Sequence, residues 1–228
     1  MKILVQAALA PIIIIVFYIY IRDKYEKEPI RLLVLGLLFG AFISFPIIGV
    51  ETMLGFMAPS ENTLLEAFYV SFVVAGFTEE FFKYIILYFL IWRNQNFNEK
   101  FDGIVYAVFI SLGFAGIENL MYVLNPELGG LNTAAARAVL SVPGHGLFGV
   151  AMGYYFSMAR FESDQKDRWI AKAFYMPFIL HGIYDFILMA NVPILMTLFI
   201  PFILYLWVSG FRKMKKHLQA SPFRPKSE

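Results

Sequence analysis

Long apolar segments alternate with short polar ones along the whole chain. Seven of the apolar segments are long enough to cross a bilayer core as helices, which takes about 20 residues each. These segments are residues 3–21, 31–57, 64–91, 103–124, 135–159, 169–190 and 191–209. The pattern predicts an all-α fold, a polytopic transmembrane helical bundle with about seven spans. The first segment is too long for a signal-peptide core and no small-residue cleavage site follows it, so we expect it to be a retained span.

Composition supports this fold class and narrows the chemistry. Of the 228 residues, 59% are hydrophobic and 16% are charged, which is far from the balance of a soluble globular domain. The net charge of +2 provides no basic surface for nucleic acid, so no nucleic-acid partner is expected. The chain contains no cysteine, which excludes disulfides, thiolate metal sites and a cysteine nucleophile.

The basic residues are concentrated in alternate connections between the predicted spans. Three connections and the C-terminal tail hold 16 of the 19 Lys and Arg residues: 22–31, 92–102, 160–172 and 211–228. The other connections hold none: 58–63, 125–134 and 190–193. The positive-inside rule therefore predicts an extracytoplasmic N-terminus and a cytoplasmic C-terminus. Because no repeat or shift in composition divides the chain, we predict one transmembrane domain over 1–210 and a basic cytoplasmic tail over 211–228.

Ionisable side chains inside the predicted spans require an explanation, because each costs at least ~2.5–3.5 kcal/mol at the bilayer centre. Those deepest in the spans are Glu79, Glu80, Lys83, Glu118, His145, His181 and Asp185. Counted from the basic ends of their spans, Glu80, Glu118, His145 and His181 lie at roughly 18–23 Å. With a core about 30 Å thick, that level is at or slightly beyond the midplane toward the outside. Four helices are thus predicted to bring carboxylates and imidazoles to one layer.

Helical spacing groups these side chains further, because residues i and i+4 share a helix face. Glu79 and Lys83 are related in this way, and so are His181 and Asp185. Glu80 is turned about 100° from Glu79, so we expect one of the two carboxylates to be catalytic and the other structural.

Simpler interpretations exist for single residues. Glu79 with Lys83 would make a self-neutralising structural pair, and a lone histidine is often a packed core residue. Glu51 and Arg137 lie near span ends, where we expect them to reach the interface. Pro143 and Pro177 precede the two histidines and predict local kinks. The convergence of two histidines and two carboxylate clusters at one depth favours a reactive site over these separate explanations.

The chemistry of such a set is hydrolytic. A carboxylate in a water-accessible apolar pocket can act as a general base toward water, and an imidazole can stabilise a developing oxyanion or bind a metal. His145, His181 and Glu80 satisfy the ligand count of a catalytic zinc site, although no His-Glu-x-x-His helix is present. A metal-free glutamate mechanism therefore stays open beside a divalent metal such as zinc. The alternative class is a proton- or cation-coupled transporter using the same residues, although no hydropathy repeat supports it.

Four motifs on successive predicted helices resemble those of the PrsW family of bacterial intramembrane proteases. They are "EEFFK" (Glu79, Glu80, Lys83), "FAGIEN" (Phe114, Glu118, Asn119), "HGLFG" (His145, Phe148, Gly149) and "HGIYD" (His181, Asp185). That family is distantly similar to the CAAX-prenyl endopeptidases. Here the first motif contains Lys83 where those enzymes have Arg, and Asp185 replaces a common Asn, so prenylated substrates are not expected.

The resemblance implies roles for the motif residues and a substrate class. The implied catalytic residues are Glu79, Glu80, His145 and His181, and the implied supporting residues are Lys83, Phe114, Glu118, Asn119, Phe148 and Asp185. The implied activity is site-1 cleavage of a membrane-anchored anti-sigma factor in the envelope stress response. The implied partners are this single-pass substrate and the lipid bilayer of a bacterial cell membrane.

Overall fold

Every regular element in the described chain is helical, which confirms the predicted all-α fold. The structure is a computed structural model that describes residues 1–59 and 63–225. The helices are α1 (Lys2–Arg22), α2 (Ile30–Gly55), α3 (Thr63–Phe68), α4 (Thr78–Ile91), α5 (Lys100–Leu124), α6 (Leu131–Val139), α7 (Ser141–Phe161), α8 (Lys166–Met189) and α9 (Pro193–Gln219). A π-helical segment, Tyr69–Phe77, joins α3 directly to α4.

The helix lengths and compositions are those of a multi-pass membrane protein. Within the described residues, four helices are by themselves long and apolar enough to cross a bilayer: α1, α2, α5 and α9. The other predicted spans correspond to α3 through α4, to α7 and to α8, which carry the polar motif residues. The apolar outer surfaces of α1, α2 and α9 are largely exposed, as expected for helices that face lipid.

Two predicted boundaries were wrong. The segment 135–159 is not one span, because the chain breaks at Leu140 (φ −111°, ψ −68°) between α6 and α7. Pro143 then lies in the first turn of α7, where its missing N–H breaks no helical hydrogen bond. The expected kink at Pro143 is therefore a helix start, and His145 lies just one turn inside α7. The last span was predicted to end at 209, whereas helix α9 continues to Gln219. This helix includes much of the predicted tail 211–228. The final residues of the tail, 226–228, lie outside the described residues.

Helix α5 is the central helix of the bundle. Its residues 101–116 are all buried, and it packs against α1, α2, α4 and α7. Glycines allow two of these neighbours to approach its backbone. A Cβ at Gly40 of α2 would lie 2.0 Å from the carbonyl oxygen of Ile110, and a Cβ at Gly153 of α7 would lie 2.1 Å from that of Gly103. Close small-residue contacts of this kind let helices associate within a bilayer.

A group of buried carboxyls fastens the α1–α2 connection to the start of α5. The hydroxyl of Tyr106 donates to Glu28, and the Glu28 N–H donates to Asp23 Oδ2 at 3.2 Å. Asp102 Oδ2 accepts the N–H groups of Asn98 and Glu99 at 2.9 and 2.7 Å. Burial raises the pKa of Asp23 and that of Glu28 to about 7, since a carboxylate removed from water loses hydration. These contacts position α1 and α2 against α5 at one end of the bundle.

We call this end the basic end, because the Lys- and Arg-rich connections 22–31, 92–102 and 160–172 lie there together with the C-terminus of α9. The opposite end contains the connections that follow α2, α5 and α8, and we call it the non-basic end.

Candidate active site

The first polar motif lies in the first two turns of α4, directly after the π-helical segment. Gly182 of α8 packs against this segment so closely that a Cβ there would lie 2.3 Å from the ring of Phe72. On the other side of the contact, a Cβ at Gly76 would lie 3.2 Å from the backbone nitrogen of Gly182. Because His181 adjoins Gly182, this backbone contact brings His181 beside the carboxylates of α4.

Lys83 lies at the centre of the polar cluster and is 0% exposed. Its ammonium donates to Glu79 Oε2 and to Glu80 Oε1, both at 2.9 Å. It also lies 3.2 Å from His145 Nδ1 and 4.2 Å from the centroid of the Phe114 ring. Because all of these groups are buried, each carboxylate depends on this cation for charge compensation.

His145 connects Lys83 to a second polar group that reaches α1 and α6. Its Nε2 lies 2.9 Å from Glu118 Oε2. The Arg137 guanidinium donates to the same Glu118 oxygen and to Asn119 Oδ1, each at 2.8 Å. Asn119 in turn donates from Nδ2 to the carbonyl oxygen of Ala8 at 2.7 Å. Glu118 therefore holds His145 in one orientation, and Arg137 and Asn119 tie α1, α5 and α6 to the site.

His181 is held in a matching way from α8. Its Nδ1 lies 3.0 Å from Glu80 Oε1, and its Nε2 lies 3.3 Å from Asp185 Oδ2. The ring of Phe148 stacks on His181 with centroids 4.8 Å apart, and the two histidine rings are 5.3 Å apart. Phe148 thus fixes the plane of the His181 imidazole.

The structure brings together all ten residues to which the resemblance assigns a catalytic or supporting role, from α4, α5, α7 and α8. Glu79 and Glu80 both reach the cluster, because Lys83 is four residues from one and three residues from the other and its flexible stem lies between them. The 100° divergence is accommodated because α4 packs against both α5 and α8, and both carboxylates approach His181 Nδ1, Glu80 at 3.0 Å and Glu79 at 3.9 Å.

Two residues of the site were misplaced by the sequence interpretation. Arg137 was expected at the interface, but it bonds Glu118 and Asn119 and lies 4.1 Å from the Tyr122 ring centroid. Glu51 was also expected at the interface, but it lines the same cavity as Glu79. The sequence contained a signal for each of these residues. Arg137 is a basic residue outside the four basic segments, and Glu51 is the single acidic residue of the predicted span 31–57.

A cavity of about 570 Å³ borders the cluster. Its polar lining includes Glu51, Glu79, Glu118, His145, His181 and Asp185. The cavity extends to Thr52, Asn125 and Met189, which lie at the ends of α2, α5 and α8 at the non-basic end. Glu80 and Lys83 are behind this lining. Of the two adjacent glutamates, Glu79 is therefore the one that water in the cavity reaches.

The donor atoms are close enough together for a divalent metal, which would take the place of the Lys83 ammonium among them. One donor atom from each of Glu79, Glu80, His145 and His181 lies within 4.8 Å of the other three, and such carboxylate–imidazole sets bind zinc. Each histidine directs Nδ1 toward the α4 carboxylates and Nε2 toward an outer carboxylate, Glu118 or Asp185. This outer hydrogen bond is typical of metal-binding histidines.

A carboxylate–histidine cluster beside an open cavity, inside a membrane helical bundle, defines a membrane-embedded hydrolase. Residues 28–209 match the family model described as PrsW family intramembrane metalloprotease. The chain belongs to this family of proteases, which confirms the resemblance and the enzyme class. No solved structure matches the chain.

Similar proteins include Protease PrsW of Clostridioides difficile (strain 630), which is 39% identical over 217 residues, covering 94% of this chain and 91% of that protein. Protease PrsW of Bacillus subtilis (strain 168) is 37% identical over 214 residues, covering 93% of this chain and 94% of that protein. The transporter alternative is set aside, because the chain belongs to a family of proteases.

Metal binding by this cluster generates the first testable prediction. Full-length protein purified with zinc present should carry close to one equivalent, measured by elemental analysis, because a four-donor set in one place binds one ion. His145→Ala and His181→Ala should each lower the zinc content at least tenfold.

The third histidine of the chain provides the matched control. His217 lies at the basic end, where its Nδ1 is 2.9 Å from the carbonyl oxygen of Lys100. The His217→Ala protein should therefore carry as much zinc as the original protein. Metal-free protein that cleaves substrate at the full rate would contradict a metal role and leave only the glutamate–water mechanism.

Proposed function

We propose that this protease performs site-1 cleavage of a membrane-anchored anti-sigma factor on the extracytoplasmic side, in the envelope stress response of a bacterium. The observation that carries the location of the cut is the opening of the active-site cavity at the non-basic end, at Thr52, Asn125 and Met189. By the positive-inside rule that end is extracytoplasmic. The anti-sigma factor as substrate rests on membership of the PrsW family and its implied role.

The substrate segment enters the cavity in an extended form. A peptide carbonyl within an α-helix is occupied by its own hydrogen bond, so the helix must unwind before attack. Unwinding costs least at or beyond the end of a transmembrane helix, where backbone groups already meet water. A cavity that opens at the non-basic end suits such a segment, and a single-pass protein supplies it with its extracytoplasmic flank.

Glu79 acts as the general base. It borders the cavity and its side chain is 6% exposed, whereas that of Glu80 is 0% exposed. Glu79 accepts a proton from a water molecule while the water oxygen attacks the scissile carbonyl carbon. The C–N bond then breaks, and the proton passes to the leaving amine nitrogen. Glu80 holds Lys83 and His181 from behind the cavity wall.

The remaining polar residues keep this geometry fixed. Glu118 and Asp185 orient His145 and His181 through their Nε2 atoms, so that both imidazoles present their other nitrogen to the cluster. Glu80, His145 and His181 would hold the metal of this metalloprotease family, which leaves Glu79 as the base, and a bound metal supplies water activation and carbonyl polarisation. Arg137 and Asn119 support Glu118, and the Phe148 ring prevents rotation of His181.

The roles proposed for Glu79 and Glu80 can be tested by substituting each residue separately. Glu79→Gln should lower kcat for a membrane substrate by about 10²–10⁴-fold, the usual contribution of a general base, with little change in thermal stability. Glu80→Gln should lower thermal stability more and kcat less, because it removes a partner of both Lys83 and His181. Both variants preserve side-chain volume, so each serves as the control for the other. Equal kcat losses, or the reverse order, would rule out these roles.

The position of the cut is the second prediction of this proposal. Co-expression with a tagged single-pass anti-sigma factor should yield a membrane-bound product whose new terminus, mapped by mass spectrometry, lies at or just outside the extracytoplasmic end of its span. The Glu79→Gln protein should leave the substrate intact, which excludes cleavage by another protease. A cut on the cytoplasmic side would refute the proposed orientation of the cavity.

A further inference from the structure

A second cavity, of about 330 Å³, lies between α7 and α9 at the basic end. Its polar lining is Ser209 together with three tyrosines and three cations, namely Tyr154, Tyr155, Tyr205, Arg212, Lys213 and Lys216. We call it the basic pocket. It shares no lining residue with the active-site cavity, so nothing in the proteolytic mechanism accounts for it.

The basic pocket concentrates positive charge without a carboxylate in its lining. Across residues 1–59 and 63–225, none of its three cations forms an ion pair, and the neighbouring carboxylate of Glu162 pairs with Lys100 at 2.8 Å. Lys213 donates to Ser209 Oγ at 2.5 Å, and its ammonium lies 5.8 Å from the centroid of the Tyr154 ring. Lys216 lies 5.7 Å from the same ring. Cations held in this way attract an anion from outside the chain.

The surroundings indicate that this anion is attached to a lipid. Tyr205 is 53% exposed and Val208 is 47% exposed on the outer side of the pocket. One and two turns further along α9 toward the non-basic end, Leu204 and Ile200 continue this exposed apolar surface. If the phosphate in the pocket belongs to a lipid, the acyl chains of that lipid would therefore lie along this apolar surface of α9. Tyrosines and basic residues at one level are also typical of the headgroup region of a membrane protein.

We propose that the basic pocket binds the phosphate headgroup of an anionic phospholipid, with its acyl chains along the exposed apolar surface of α9. The tyrosine hydroxyls and the three cations supply hydrogen-bond donors to the phosphate oxygens. Basic pockets between transmembrane helices on the cytoplasmic side recognise such headgroups. This binding site is independent of the proposed substrate and of the direction from which the substrate enters.

Lipid binding by purified full-length protein tests the proposal. Delipidated protein in a neutral detergent is titrated with phosphatidylglycerol, and bound lipid is counted by native mass spectrometry while the melting temperature is recorded. The triple variant Arg212→Gln/Lys213→Gln/Lys216→Gln should bind on the order of 100-fold more weakly, since each basic residue near a membrane surface contributes about fivefold. Higher salt should weaken binding to the original protein.

Lys215→Gln is the matched control, because Lys215 is an exposed cation on the same helix that does not line the pocket. It should bind phosphatidylglycerol within about twofold of the original protein. Lys213→Arg/Lys216→Arg keeps both charges and should also bind, which separates loss of charge from failure to fold. Equal affinity in the triple variant and the original protein would overturn the proposal.

Two further ligands identify the source of the phosphate. Phosphatidylcholine carries the same phosphate with a compensating cation and should bind at least tenfold more weakly than phosphatidylglycerol. Inorganic phosphate has no acyl chains and should neither displace phosphatidylglycerol at millimolar concentration nor raise the melting temperature. If inorganic phosphate protects the protein as well as the lipid does, the site is one for a free anion and the lipid assignment is wrong.

Discussion

The neutralisation of buried carboxylates by Lys83 is the interaction on which the site depends. Its ammonium is buried between Glu79 and Glu80, 2.9 Å from each, and borders His145 and Phe114. Without a cation, two carboxylates inside a membrane bundle would each cost several kcal/mol. Once the cation is present, the same charges become strong hydrogen-bonding groups in a low dielectric. The cluster is therefore a structural junction of four helices and, in the proposed mechanism, the catalytic centre.

The active-site cavity opens at one end of the bundle, and the contacts that fix the helices to one another lie elsewhere. Small-residue contacts, such as Gly40 on Ile110 and Gly182 on Phe72, bring α2, α7 and α8 close enough for short side chains to converge. The active-site cavity then opens at the non-basic end, while buried carboxyls and the basic pocket lie at the other end. The active-site cavity and the basic pocket therefore lie at opposite ends of the bundle.

The sequence predicted the helical bundle, and it predicted that the motif side chains would meet at one level of that bundle, because both follow from local rules. Apolar length reveals spans, and helical spacing together with the rarity of charges inside a membrane reveals the motif residues. The break at Leu140 was missed because Pro143, the ninth residue of the predicted span 135–159, is equally compatible with a kink inside one helix and with the start of a new helix. Sequence spacing also could not show the π-helical segment Tyr69–Phe77 or the inward reach of Arg137 and Glu51, which depend on how neighbouring helices pack.

The free energy of unfolding in detergent, measured for a double-mutant cycle at Lys83 and Glu80, tests most directly whether this cation holds the site together. Lys83→Met alone leaves two buried carboxylates uncompensated and should destabilise the protein by about 3–5 kcal/mol. Lys83→Met/Glu80→Gln restores the net charge of the cluster and should recover at least about 2 kcal/mol of that loss. A Lys83→Met protein as stable as the original, or a double variant whose losses simply add, would contradict the central place of this ion pair.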